Sequence, residues 1–65
     1  MINYMTAQSP SGKRYFVELT TRQLLRQEPG EVVELCSEKA GQVHLIILPL
    51  KEVLKWDLTE EILRG

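Results

Sequence analysis

The side chains of this chain best suited to chemistry are cations and aromatic rings. Lys13 and Arg14 follow the first turn, Lys51 and Lys55 stand four residues apart, and Tyr4, Tyr15 and Trp56 are distributed among them. Ammonium and guanidinium groups meet phosphate oxygens while rings stack on unpaired bases, so the combination fits contact with single-stranded nucleic acid. The same residues also fit solvated charges and core aromatics. A formal net charge of −1 lacks the basic excess usual in nucleic-acid-binding domains. Such a stripe would have to be built by two copies of the chain.

Other chemistries are poorly supplied. One histidine and one cysteine fall short of the three or four ligands a zinc site needs, so His44 reads as a strand residue and Cys36 as buried filler. Glu60 and Glu61 are adjacent and diverge on a helix, where they suit the positive end of its dipole better than paired acid–base work. Gly12, Gly30 and Gly41 are isolated turn glycines rather than a phosphate-cradling loop. With no nucleophile, base and orienting group in evident relation, the expectation is a binding protein, not an enzyme, with no cofactor and no metal.

The positioning framework must be small. Sixty-five residues make one domain, 1–65, and a core of that size removes only about 60% of the unfolded chain's surface from water. With 43% hydrophobic and 26% charged residues the composition is globular. No apolar run approaches the roughly 20 residues that span a bilayer. The opening MINYMTAQSPSGKR has no basic segment followed by an apolar one, so a soluble, cytoplasmic protein is expected. A single cysteine offers no internal disulfide, which leaves oligomerisation as the supplement to a small core.

Alternation predicts a mainly β fold. Ile2 to Gln8 and Lys13 to Leu19 flank Ser-Pro-Ser-Gly and read as a hairpin, with Tyr15, Val17 and Leu19 on an apolar face. Thr20 with Gln23 has capping-box spacing, and Pro29-Gly30 ends the segment. A short helix near 21–28 is therefore expected, leaning on the sheet through Leu24 and Leu25. Glu31 to Glu38 and Gln42 to Leu48 form a second hairpin across Lys39-Ala40-Gly41, a three-residue loop with Gly41 left-handed.

VHLIIL is apolar on both faces, whereas a strand with one wet face alternates. A cover on both sides is implied, which makes Val43, Leu45, Ile46, Ile47 and Leu48 the candidate interface of a homodimer. Beyond Pro49 the pattern divides. Leu50, Val53, Leu54, Leu58 and Ile62 fall at helical spacing, yet Leu54, Trp56 and Leu58 fall on one face of a strand. Asp57 with Glu60 fits a capping box, so the preferred reading is a fifth strand over Lys51 to Trp56 and a short C-terminal helix near 58–63.

This order of two hairpins, fifth strand and terminal helix resembles the carbon storage regulator family, CsrA and its RsmA relatives. The likeness is carried by Glu31-Val32-Val33, by Lys39-Ala40-Gly41-Gln42-Val43, by Pro49 with Lys51-Glu52-Val53, and by Glu60-Glu61-Ile62. The stretch Arg22 to Gln27 resembles the helical insertion of the RsmN-type variant. The resemblance implies a small five-stranded antiparallel sheet or barrel in an intertwined homodimer, whose first and fifth strands exchange between chains. It also implies a post-transcriptional regulator that grips GGA-type RNA loops. By that analogy RNA would meet the first strand at Tyr4 and Thr6, and the end of the fifth strand at Trp56. The family's arginines are missing at both places, and Asp57 stands where one is expected. Phosphate contacts would then fall to Lys13, Arg14, Lys51 and Lys55. The alternative is a small β-barrel adaptor without RNA binding, which takes a protein partner at a strand edge or at the Trp56 face. No membrane contact is expected.

Overall fold

The computed structural model describes residues 1–61 and contains a five-stranded, wholly antiparallel sheet with two short helices. The elements are β1 (Ile2–Gln8), β2 (Arg14–Thr20), α1 (Thr21–Arg26), β3 (Val32–Lys39), β4 (Gln42–Pro49), α2 (Leu50–Val53) and β5 (Asp57–Glu60). Strand order is β4-β3-β2-β1-β5. The first four strands form a meander, and β5 returns to pair with β1. Both hairpins and the helix after β2 thus form where the alternation and the first capping box predict them.

Local chemistry explains the first helix. The Thr20 hydroxyl accepts from the Gln23 N–H at 3.1 Å, and the Gln23 side chain accepts from the Thr20 N–H at 2.8 Å. These reciprocal bonds satisfy donors that a helix start leaves orphaned. Gln27 ends the helix in the left-handed conformation at φ 49°. Leu24 packs against the core, but Leu25 is 78% exposed and does not lean on the sheet. With six residues, two turns at most, the helix presents a single side to the protein.

The second hairpin turns more tightly than expected. Lys39 pairs directly with Gln42, leaving a two-residue turn in which Ala40 and Gly41 both have positive φ, 53° and 76°. That is the geometry whose twist matches the flanking strands. Gly41 takes it without cost; Ala40 does not.

The segment after Pro49 departs from the sequence reading. Residues Leu50–Val53 form α2 rather than the opening of a fifth strand. The fifth strand is Asp57–Glu60, the stretch expected to begin a helix. The pairing of Met5 with Glu60 through Gln8 with Asp57 gives those backbone groups a ladder, which outweighs the Asp57–Glu60 capping pattern. Glu61 follows β5 without forming a helix, its N–H donating to the Tyr4 carbonyl, and positions 62–63 of the expected helix lie outside the described residues. Helical spacing was the correct reading for Leu50 and Val53, both of which are fully buried.

The core fills one face of the sheet. Ala7, Tyr15, Val17, Leu19, Val33 and Leu35 point to the side covered by Leu50 and Val53, with Met5, Leu24, Ile46, Leu48, Leu54, Trp56 and Leu58 packed around them. Thickness follows from this arrangement: the described residues measure 35 × 29 × 17 Å, and among them no helix covers the opposite face. Cys36 lies on that opposite side and is half-buried rather than enclosed. Among the described residues no group of three or more His, Cys, Asp or Glu could hold a metal ion, and no helix is long and apolar enough to cross a membrane.

Candidate binding face

The open face of the sheet is built by strand register. Thr59 pairs with Thr6, Thr6 with Phe16, Phe16 with Cys36, and Cys36 with Leu45. Residues directly opposite on antiparallel strands project to the same side. These pairings therefore lay one cross-strand row across the whole sheet, and its greater part, from Phe16 through Cys36 to Leu45, is apolar. Phe16 is 55% exposed and Leu45 59%. Thr6 is buried because Glu61 folds over it: the Thr6 hydroxyl donates to the Glu61 carboxylate, and the Glu61 N–H donates to the Tyr4 carbonyl at 2.8 Å.

The flanking rows, two residues away along each strand, carry the charges. One contains Tyr4 opposite Glu18, and Glu34 opposite Ile47. The other contains Asp57 opposite Gln8, Gln8 opposite Arg14, and Glu38 opposite Val43. All four of these carboxylates are exposed. At about 3.3 Å per residue they stand roughly 6–7 Å to either side of the apolar row. A depression of about 740 Å³ opens here, lined by Phe16 and Cys36, by Tyr4, Glu18 and Glu34 of the next row, and by Val32 and Glu61. Chemically this is a site for an apolar body edged by positive charge.

The residues proposed for RNA contact are divided between the two sides of the sheet. Tyr4, Thr6 and Arg14 belong to the open face. Lys13 stands on the α2 side, its Nζ 5.4 Å from the centroid of the Tyr15 ring. Lys51 and Lys55 are exposed on α2 and the turn after it, not on one face of a strand. Trp56 is half-buried, its ring centroid 5.8 Å from that of Tyr15. Of this set, Lys55 and Trp56 line one small depression at the β1–β2 turn, together with Ser9, Gly12 and Asp57; Lys13 is adjacent in sequence. The candidate interface residues divide as well. Val43, Leu45 and Ile47 are exposed, while Ile46 and Leu48 pack half-buried against the chain's own core.

Phe16, Val32 and Glu34 were missed as functional candidates. Their signal was present in the alternation, since Arg14, Phe16 and Glu18 share a face that needs no aromatic ring for folding. The chain was compared with family models, with curated proteins and with solved structures, and none of them matches.

Proposed function

We propose that this chain is a small protein-binding module whose open sheet face receives a basic amphipathic segment of a partner protein. The observation that carries the reading is the apolar row Phe16–Cys36–Leu45 running between a row with Glu18 and Glu34 and a row in which Arg14 stands between Asp57 and Glu38. Large apolar patches rimmed by polar groups mark interaction sites. A helix about 10 Å across, laid along the row, would bury an apolar stripe on Phe16 and Leu45. Lysines or arginines on its two flanks would then fall near Glu18 and Glu34 on one side, and Glu38 and Asp57 on the other.

The test is a calorimetric titration with a synthetic amphipathic helix carrying a Leu/Ile stripe flanked by lysines, against the same peptide flanked by glutamates. Binding is expected for the first only, weakening as salt is raised. Phe16→Ala should lower affinity about 10- to 30-fold, the scale of a central aromatic contact. Equal binding of both peptides, or no effect of Phe16→Ala, would refute the reading.

A second reading, RNA binding of the carbon storage regulator type, is favoured by one observation: Lys55 and Trp56 share a depression with Gly12, the residue before Lys13, although Asp57 lines it too. Under that reading a GGA-containing hairpin binds at low salt, and Lys13→Ala with Lys55→Ala reduces the log–log salt slope by roughly 0.7–0.9 per lost contact, while Phe16→Ala has no effect.

A further inference from the structure

We infer that β4 is a self-complementary edge that pairs antiparallel with β4 of a second copy, joining two sheets into one. The strand ends the sheet and runs eight residues, Gln42–Pro49, in unbroken register with β3. Its main-chain polarity is fixed at one end, where the Leu50 N–H donates to the Glu31 carbonyl at 2.8 Å. Antiparallel ladders alternate, so the even-numbered residues Gln42 to Leu48 direct their N–H and C=O groups to β3. Those of Val43, Leu45 and Ile47 face outward. Pro49, which has no N–H to offer, falls on the outward set.

Sheet edges are ordinarily guarded by charge, proline, bulges or shortness. β5, at the other end, is four residues long and carries Asp57 and Glu60. β4 has no Asp, Glu, Lys or Arg at all, and its one proline is its last residue.

The choice of occupant follows from charge. The open face carries Glu18, Glu34, Glu38 and Asp57 against Arg14, so two copies meeting through it would bring together surfaces of the same net negative sign, which is repulsive. Two copies meeting along β4 present no charge to each other. Centred on Leu45, antiparallel pairing sets Leu45 opposite the second copy's Leu45, and Val43 opposite its Ile47. All three are well exposed in the single chain, Val43 at 62% and Ile47 at 66%, and would cover one another as apolar cross-strand pairs. The central row of each sheet would then continue through Leu45 into the other, giving one groove across both copies. This inference shares Leu45 with the peptide reading but rests on the backbone edge of β4, so Phe16→Ala, which alters the face alone, tells the two apart.

Sedimentation at tens of micromolar should give twice the chain mass. A charge swap tests the register. Val43→Lys with Ile47→Lys places ammonium groups opposite each other across the two-fold axis, and should weaken dimerisation at least tenfold. Val43→Lys with Ile47→Glu places opposite charges there and should keep the dimer. Both variants change exposed side chains only, and unchanged far-ultraviolet circular dichroism checks the fold. Phe16→Ala, which alters the open face but not the edge, should leave the dimer intact. A monomeric wild type, or swap variants that do not differ, overturns the inference. A dimer lost with Phe16→Ala but kept in both swap variants would show that the copies meet by their faces instead.

Discussion

Val53→Ala separates the two ways of folding the segment after Pro49. In a strand over Lys51 to Trp56, Val53 would share the face of Lys51 and Lys55, away from Leu54 and Trp56, and truncating it would change little. In α2 its side chain is 0% exposed and joins Leu50 beneath the sheet. Removing two buried methyl groups at about 0.8 kcal/mol each costs about 1.6 kcal/mol in transfer free energy, with a further cavity term where the site does not collapse. The better helix propensity of alanine returns roughly 0.5 kcal/mol. A net loss of about 1–2 kcal/mol is expected, or a melting temperature lower by roughly 5–15 °C in a domain of this size. Thermal and urea unfolding at one fixed protein concentration provide the measurement, with Leu25→Ala, at a 78% exposed position, as a control expected within about 0.5 kcal/mol of wild type. Should Val53→Ala and Leu25→Ala melt together, α2 does not cover the sheet and the core described above is wrong.

Two further substitutions probe local features. Ala40→Asn creates Asn-Gly at a turn whose first residue sits at φ 53°, so stability should rise by about 0.5–1 kcal/mol and the melting temperature by roughly 2–8 °C. The Ser37 hydroxyl is buried and finds no hydrogen-bond partner among the described residues. Ser37→Ala removes that unpaired group, and urea unfolding should give a stability equal to wild type or up to about 1 kcal/mol higher; a clear loss would mean that the hydroxyl is bonded in solution.

The sheet was legible wherever periodicity and turn chemistry agreed. Tyr15, Val17 and Leu19 alternate with exposed neighbours and are buried as the pattern requires. Thr20 and Gln23 carry a capping box that the helix uses. Residues Leu50 to Glu60 were less legible because two local signals competed and the deciding interaction is distant. Asp57 and Glu60 have the spacing of a cap, but their backbone is claimed by β1, far back in the chain. That shift placed Lys51 on α2 and Lys55 in the turn after it, and so removed the strand face expected to carry both. The open face was hidden for a different reason. Phe16 and Leu45 become one row only through β3, and a row that crosses strands has no signature along any one of them.

The β1–β5 pairing also shapes the order in which the fold can assemble. Each pairing of the meander joins strands adjacent in sequence and closes a short loop, whereas the Thr6–Glu61 bond spans 55 positions. Loop-closure entropy grows slowly with length, by about 0.6 kcal/mol per doubling, but long-range contacts still slow folding because that cost precedes their reward. The four-stranded meander is therefore the natural early product, with β5 the last strand to dock and the first to leave. Until it docks, β1 is itself an open edge, flanked on its inner side by Met5 and Ala7 waiting for Glu60 and Leu58. The transient form of this molecule thus has two unpaired strand edges where the finished one has β4 and a short, charged β5, so the brief β5 acts as a stopper that leaves β4 as the one long edge free of charge.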